Sequence, residues 1–276
     1  MGLRKSSLPP GWYPESQNGI SRFLAGSDKI ADIGGPARAA VAPHAGWFYS
    51  GRTAARAVSL LDKRTETLAI IGGHLPAGRA PLFAMEDGAE TPLGPVHFDS
   101  DLRAAMIEGT GGREDRHRDN TVEVLLPMAR FFLPNASVLW MRLPAEASSF
   151  AAGEALAAAA EGLGRRVSVL ASADLTHYGP RYGFAPKGAG EAAVEWVRAT
   201  NDRRLIDAVL SGDPAAVLDR AEKESSSCSA GAILAAMGFA KALGTGGARL
   251  LEYATSADGG GAADRENFVG YAAIGF

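Results

Sequence analysis

Apolar residues fall in short unbroken runs along much of this chain, and these runs alternate with stretches whose apolar positions recur every three or four residues. "ARAAVAP" (37–43), "ETLAIIGG" (66–73), "SVLWMRL" (137–143) and "RRVSVLASAD" (165–174) are of the first kind and read as buried strands. "RTAARAVSLLDK" (52–63) has helical spacing, and the alanine-rich stretch 148–163 is a strong helix former. "TVEVLLPMARFF" (121–132) is helical in period, with Pro127 marking a kink or a first turn. Further helices are expected over 188–200, 202–210 and 213–222 and from Cys228 to Lys241, while "ARLLEYATS" and "FVGYAAIGF" supply closing strands. The turn-rich "DGAETPLG", between "APLFAME" and "GPVHFD", predicts a hairpin or a short excursion at the sheet edge.

Buried strands alternating with helices predict an α/β fold: a central, largely parallel or mixed sheet with helices on both faces. No internal repeat or long linker interrupts the pattern, so 1–276 reads as one domain, with the Pro-, Gly- and Ser-rich residues 1–35 wrapping its surface. Hydrophobic residues make up 46% of the chain and charged ones 21%, as in ordinary soluble proteins. The formal net charge of −3 and pI near 6.0 give no basic field, so nucleic acid is not an expected partner. No membrane span and no signal peptide stand out, and one cysteine, Cys228, points to a reducing compartment. A cytoplasmic enzyme or binding protein is the expectation.

Chemistry collects where the expected strands end. His44 follows 37–43, His74 follows 66–73, and Asp174 and His177 follow 165–171. In α/β sheets the crevice beyond the strand carboxyl ends is the usual ligand site. A lone histidine at a strand end is more often a turn residue, but three of the five share a glycine-bearing strand-to-loop setting. His97 and His117 read as a strand-face and a solvated-loop residue. Cys228, after "ESSS" and ahead of a helical stretch, sits where a helix N-terminus favours a thiolate. Two imidazoles with one anion, either the Cys228 thiolate or the Asp174 carboxylate, suit a mononuclear metal with open positions. The competing Ser/His/Asp assembly lacks a GxSxG elbow, and Ser50 lacks its strained setting. Neither a Walker loop nor GxGxxG is present.

The same stretches resemble the Memo family, whose bacterial branch is called AmmeMemoRadiSam system protein B. "GWYP" (11–14), "PHAGWFYSG" (43–51), "TPLGPVHFD" (91–99), "SADLTHYG" (172–179) and the closing "FVGYAAIGF" carry the likeness across nearly the whole chain. The resemblance implies a fold like that of class III extradiol dioxygenases. It also implies a metal site, with His44, His74 and Cys228 as ligands and Asp174 and His177 as the acid–histidine pair beside it. One transition-metal ion is then expected, with iron(II) or copper favoured and zinc compatible. The expected activity is oxygen-dependent oxidation of a small substrate, with Asp174 fixing an imidazole or a water and His177 moving a proton. Trp47, Phe48, Tyr49 and Tyr178 are expected to line the pocket. The rival expectation is a non-enzymatic protein using the same cleft to hold a peptide, a small molecule or a metal.

Three departures from the family pattern stand out. Gly73, in "GGHLP", occupies the place of an asparagine. Ser229, in "CSAGAI", occupies the place of a glycine. In "DNTVEVLLP", Asp119 replaces a glutamate and Asn120 a histidine, while Glu123 is kept.

Overall fold

The structure, a computed structural model, describes residues 2–27, 35–245, 247–258 and 264–276. Four parallel strands form the centre of its main sheet: β1 (Ala39–Ala42), β2 (Thr67–Leu75), β3 (Ser137–Pro144) and β4 (Val167–Ser172). Their spatial order is β1-β4-β2-β3, so the chain reverses direction across the sheet between them. Strand β5 (Phe268–Gly275) adds antiparallel to β1, and Leu82–Phe83 adds antiparallel to β3. The sheet is therefore mixed, with a parallel core.

The unbroken apolar runs are explained by what covers each face. Successive strand residues point to opposite sides, and both sides are packed. Ala39, Val41, Ala69, Ile71, Leu139 and Met141 join one core, beneath the helices Ser148–Gly162 and Ala230–Ala242. Their neighbours Ala40, Ala42, Leu68, Ile70, Val138 and Trp140 join the other, beneath Trp47–Leu60 and Leu126–Phe132. No polar alternation can survive when neither face meets water.

Local differences from the expected elements have plain causes. The helix expected from residue 52 begins at Trp47, because Gly46 already serves as its N-cap and the aromatic run forms its first turn. Gly46 has φ −53°, a value that any residue adopts. Pro127 falls in the first turn of Leu126–Phe132 and separates it from the short helix Asn120–Glu123. Within the expected wrapping segment, Leu3–Arg4 pairs with Gly88–Ala89 and Gln17–Leu24 forms a helix capped by Ser16, while Met1 and residues 28–34 lie outside the described residues. The hairpin forms between Gly88–Ala89 and Val96–His97, in a small separate sheet. Among the described residues, no helix is long and apolar enough to cross a membrane.

Candidate functional site

Strands β1, β4 and β2 lie side by side and in parallel, so their carboxyl ends open onto one edge. His44 leaves β1 two residues after Ala42, and its backbone N–H donates to Asp174 Oδ1, just beyond β4, at 2.7 Å. His74 sits in β2 itself, at a register shift between Gly72 and Leu75, with φ +56°. A left-handed conformation is uncommon for a residue with a side chain and tends to persist only where surrounding bonds enforce it. One such bond comes from the buried Arg142, whose Nε donates to the Gly73 carbonyl at 3.0 Å. Cys228 arrives from the opposite direction, two residues ahead of the helix Ala230–Ala242.

Three potential ligand atoms of His44, His74 and Cys228 lie within 4.8 Å of one another. Cys228 Sγ is 3.3 Å from His44 Nε2, and the two imidazoles meet edge to face with centroids 5.0 Å apart. Their outer nitrogens are fixed from behind. Ser172 Oγ donates its only proton to the Thr121 carbonyl, so it accepts from His44 Nδ1–H at 2.9 Å. Asp119 Oδ2 accepts from His74 Nδ1 at 3.0 Å. Asp119 is itself held by Thr121, whose backbone N–H donates at 2.9 Å and whose hydroxyl donates too, and by Arg142 at 3.6 Å. In their neutral forms both imidazoles thus turn an Nε2 lone pair toward the thiol.

The charges in the cluster sustain each other. Burial disfavours charge on every member, yet the Asp174 carboxylate and the Cys228 thiolate push the His44 pKa up. Asp119 and Cys228 likewise outweigh burial at His74, and Asp174 and Cys228 outweigh it at His177. Reciprocally, the His44 charge and hydrogen bonds from the imidazoles overcome burial and hold the Cys228 thiol well below its ordinary range. Asp174 is lowered by His44 and His177 against the same penalty. A thiolate among imidazolium groups could hold a metal: a divalent ion would displace the imidazole protons and keep the sulfur anion.

Above this cluster a cleft of about 880 Å³ reaches solvent. His44, His74, Asp174 and His177 lie along it, with Trp12 on one wall and Phe48, Tyr49 and Tyr182 near its mouth. The Memo-like protein family model matches residues 4–275 of this chain. The chain belongs to the Memo family. A MEMO1 family protein from Pyrobaculum arsenaticum is 32% identical to it over 295 residues, covering 99% of both chains. One from Methanopyrus kandleri is 33% identical, covering 99% of this chain and 89% of that one, and one from Archaeoglobus fulgidus is 34% identical, covering 86% of each.

In this Memo-family chain, His44, His74 and Cys228 converge, and Asp174 and His177 stand beside them with His177 Nε2 3.6 Å from Asp174 Oδ2. That ring nitrogen is buried and has no hydrogen-bond partner among the described residues. Tyr49 lines the cleft and is 60% exposed. Two expected pocket residues lie elsewhere. Trp47 is buried and donates Nε1–H to the Val124 carbonyl at 2.9 Å. Tyr178 is fully buried and stacks on Phe268 with centroids 4.9 Å apart, its hydroxyl donating to the Gly188 carbonyl. His97 and His117 are exposed and distant in role, as expected. Sequence reasoning did not assign site roles to Asp119, Ser172, Thr121 or Arg142. A signal existed for Ser172, a hydroxyl at the carboxyl end of a mostly apolar strand, and for Asp119, at a departure from the family pattern.

Proposed function

We propose that this protein holds one transition-metal ion through His44 Nε2, His74 Nε2 and Cys228 Sγ and uses it for oxygen-dependent oxidation of a small substrate bound in the cleft. The observation that carries this reading is the convergence of these three donors within 4.8 Å, with His44 and His74 lining an 880 Å³ cleft. The donor set fits such an ion: both outer imidazole nitrogens are occupied by Ser172 and Asp119, the arrangement that orients histidine ligands in metal sites. Three protein donors would leave coordination positions for other ligands, as redox and hydrolytic centres require. Two imidazoles with a thiolate are compatible with iron, copper and zinc, and the proposed oxygen chemistry calls for iron or copper. When bound, iron or copper would supply one-electron exchange with oxygen and substrate.

The chain's own residues would do the rest. Asp174 fixes the His44 backbone and balances the imidazole charge. His177 lines the cleft, and its buried Nε2, 3.6 Å from Asp174 Oδ2, would hold or release a proton beside the donor cluster. Phe48, 86% exposed, and Tyr49 give the mouth an apolar rim for a ring or chain of the substrate. The same rim favours the second reading, a binder that takes a small molecule or peptide without turnover, since large exposed aromatic side chains are common anchors. A reducing compartment such as the cytoplasm suits a site that depends on a free thiolate.

Elemental analysis of anaerobically purified, tag-free protein offered iron(II) or copper(I) tests the metal. Near-stoichiometric uptake by wild type, lost in His44→Ala and Cys228→Ser, is expected. Equal, negligible metal in all three would overturn the reading. Oxygen uptake on catechols and thiols then separates enzyme from binder: a loaded but inert protein supports the second reading.

A further inference from the structure

Two of the positions where this chain departs from the family pattern, Gly73 and Ser229, meet in space. A Cβ on Gly73 would lie 2.3 Å from Ser229 Oγ, 2.4 Å from Ser229 Cβ and 2.7 Å from Ser229 Cα. Such distances demand that something move. Gly73 does not have positive φ, so the glycine is required by the space Ser229 fills and not by backbone conformation. Ser229, for its part, sits at the N-cap of the helix Ala230–Ala242 yet makes no side-chain capping bond. Serine is among the best capping residues, so its hydroxyl is committed elsewhere. It lies 3.5 Å from Cys228 Sγ, and with Ser229 1% exposed it has no bulk water to turn to. A cysteine that ligates a metal does so as thiolate, which has no proton to give, so the Ser229 hydroxyl is then the donor.

We infer that Gly73 and Ser229 form one coupled unit, in which the missing side chain on β2 makes room for a serine that positions and hydrogen-bonds the Cys228 sulfur. Ser229 is a positioning residue, acting through Cys228. The part concerning sulfur as a ligand rests on the proposed metal site. The packing part stands on the contact between the two residues alone.

A double-mutant cycle tests both parts. Gly73→Asn and Ser229→Gly are made singly and together, with Gly73→Ala as a milder partner should Gly73→Asn fail to fold. The melting temperature of metal-free protein and cobalt(II) titration are the readouts. The substitution at Gly73 alone is expected to lower the melting temperature and to weaken cobalt binding about tenfold or more. Adding Ser229→Gly recovers most of both losses, because a glycine backbone can shift the last few tenths of an ångström. Additive losses in melting temperature would overturn the coupling, whatever cobalt does. Ser229→Ala tests the hydroxyl: removing its hydrogen bond should shift the sulfur-to-cobalt charge-transfer band to lower energy with little change in melting temperature. An unmoved band would overturn the sulfur contact. If wild type bound no cobalt, iron or copper, the metal reading would fall with its sulfur corollary, while the melting-temperature cycle would still decide the packing unit.

Discussion

Both ends of the parallel strands bury an aspartate among basic groups, and the two ends treat it oppositely. At the amino end, Asp62 accepts from the Arg64 backbone N–H at 3.0 Å, from Arg64 Nε at 3.2 Å and from Arg166 Nε at 2.8 Å. Burial opposes its charge, but these partners hold its carboxyl far below the usual range. At the carboxyl end, Asp174 is as deeply buried, yet its Oδ2 stands 3.6 and 3.7 Å from two imidazole nitrogens, beyond good hydrogen-bond distance. One of those nitrogens, His177 Nε2, has no hydrogen-bond partner among the described residues. Satisfied polar groups make a strand end rigid. Gathered but under-satisfied ones leave it with capacity for a ligand, and departures from full satisfaction concentrate at functional sites.

The comparison breaks most sharply by exchanging damage between the two ends. His44→Ala is expected to remove metal uptake, with at least a hundredfold loss of affinity, in a chain that still folds, though with a lower denaturation midpoint because Asp174 and Cys228 lose a buried partner. Asp62→Ala should separate the two effects. It strands Arg166 and costs about 2–3 kcal/mol in urea unfolding, less than a fully buried pair because both arginines reach solvent. Metal per chain should not change. An Asp62 variant that lost metal, or a His44 variant that lost the fold, would show that the two ends are not separate in function.

A smaller effect is expected one step behind the ligands. Asp119→Asn keeps the shape beside His74 but removes the carboxylate that orients its ring, and should weaken metal binding by about 10- to 100-fold. Arg142→Met should act similarly, since Arg142 braces both Asp119 and the Gly73 carbonyl that precedes the left-handed His74. Unchanged affinity in both variants, measured by competition with a chelator, would reduce this network to packing.

What could be read in advance, and what could not, follows from distance along the chain and from local geometry. The layered sheet was legible because strands covered on both faces leave unbroken apolar runs. His44, His74 and Asp174 stood out because each ends such a run. Trp47 and Tyr178 misled for geometric reasons. In a helix each residue turns by about 100°, so Phe48 and Tyr49 face out while Trp47 faces the core. In an extended pair neighbours alternate, so Tyr178 turns inward as His177 turns to the cleft. The bracing of His74 was not legible at all: Asp119 is 45 residues away from it, and Arg142 is 69 from Gly73. Such pairings are made by the sheet and not by local sequence.

The smallest predicted effect concerns a third buried acid, Asp202, which is hydrogen-bonded but shifted the other way. It is fully buried and accepts from Thr176 N at 3.0 Å, from the Thr176 hydroxyl and from Tyr253 OH at 2.8 Å, with no ion pair among the described residues. Burial outweighs those hydrogen bonds and raises its pKa to about 6. The sign is opposite to that of Asp62. Below pH 3.8 the group is protonated in folded and unfolded chains alike, so it makes no difference. Between 3.8 and about 6 the folded chain holds a proton that the unfolded chain has lost, so stability falls as pH rises through this window. The full cost, present above it, is at most on the order of 3 kcal/mol for a carboxyl displaced this far. Asp62, Asp119 and Asp174 are all shifted below this window, and the raised histidines titrate above it. Asp202→Asn removes the ionisable group while keeping an acceptor for Thr176. The stability difference between this variant and wild type, followed by urea unfolding from about pH 4 to about pH 7, should therefore move in the variant's favour as pH rises and level off near neutrality. A difference that stayed flat would mean that Asp202 is ionised throughout, its three hydrogen bonds matching what water provides.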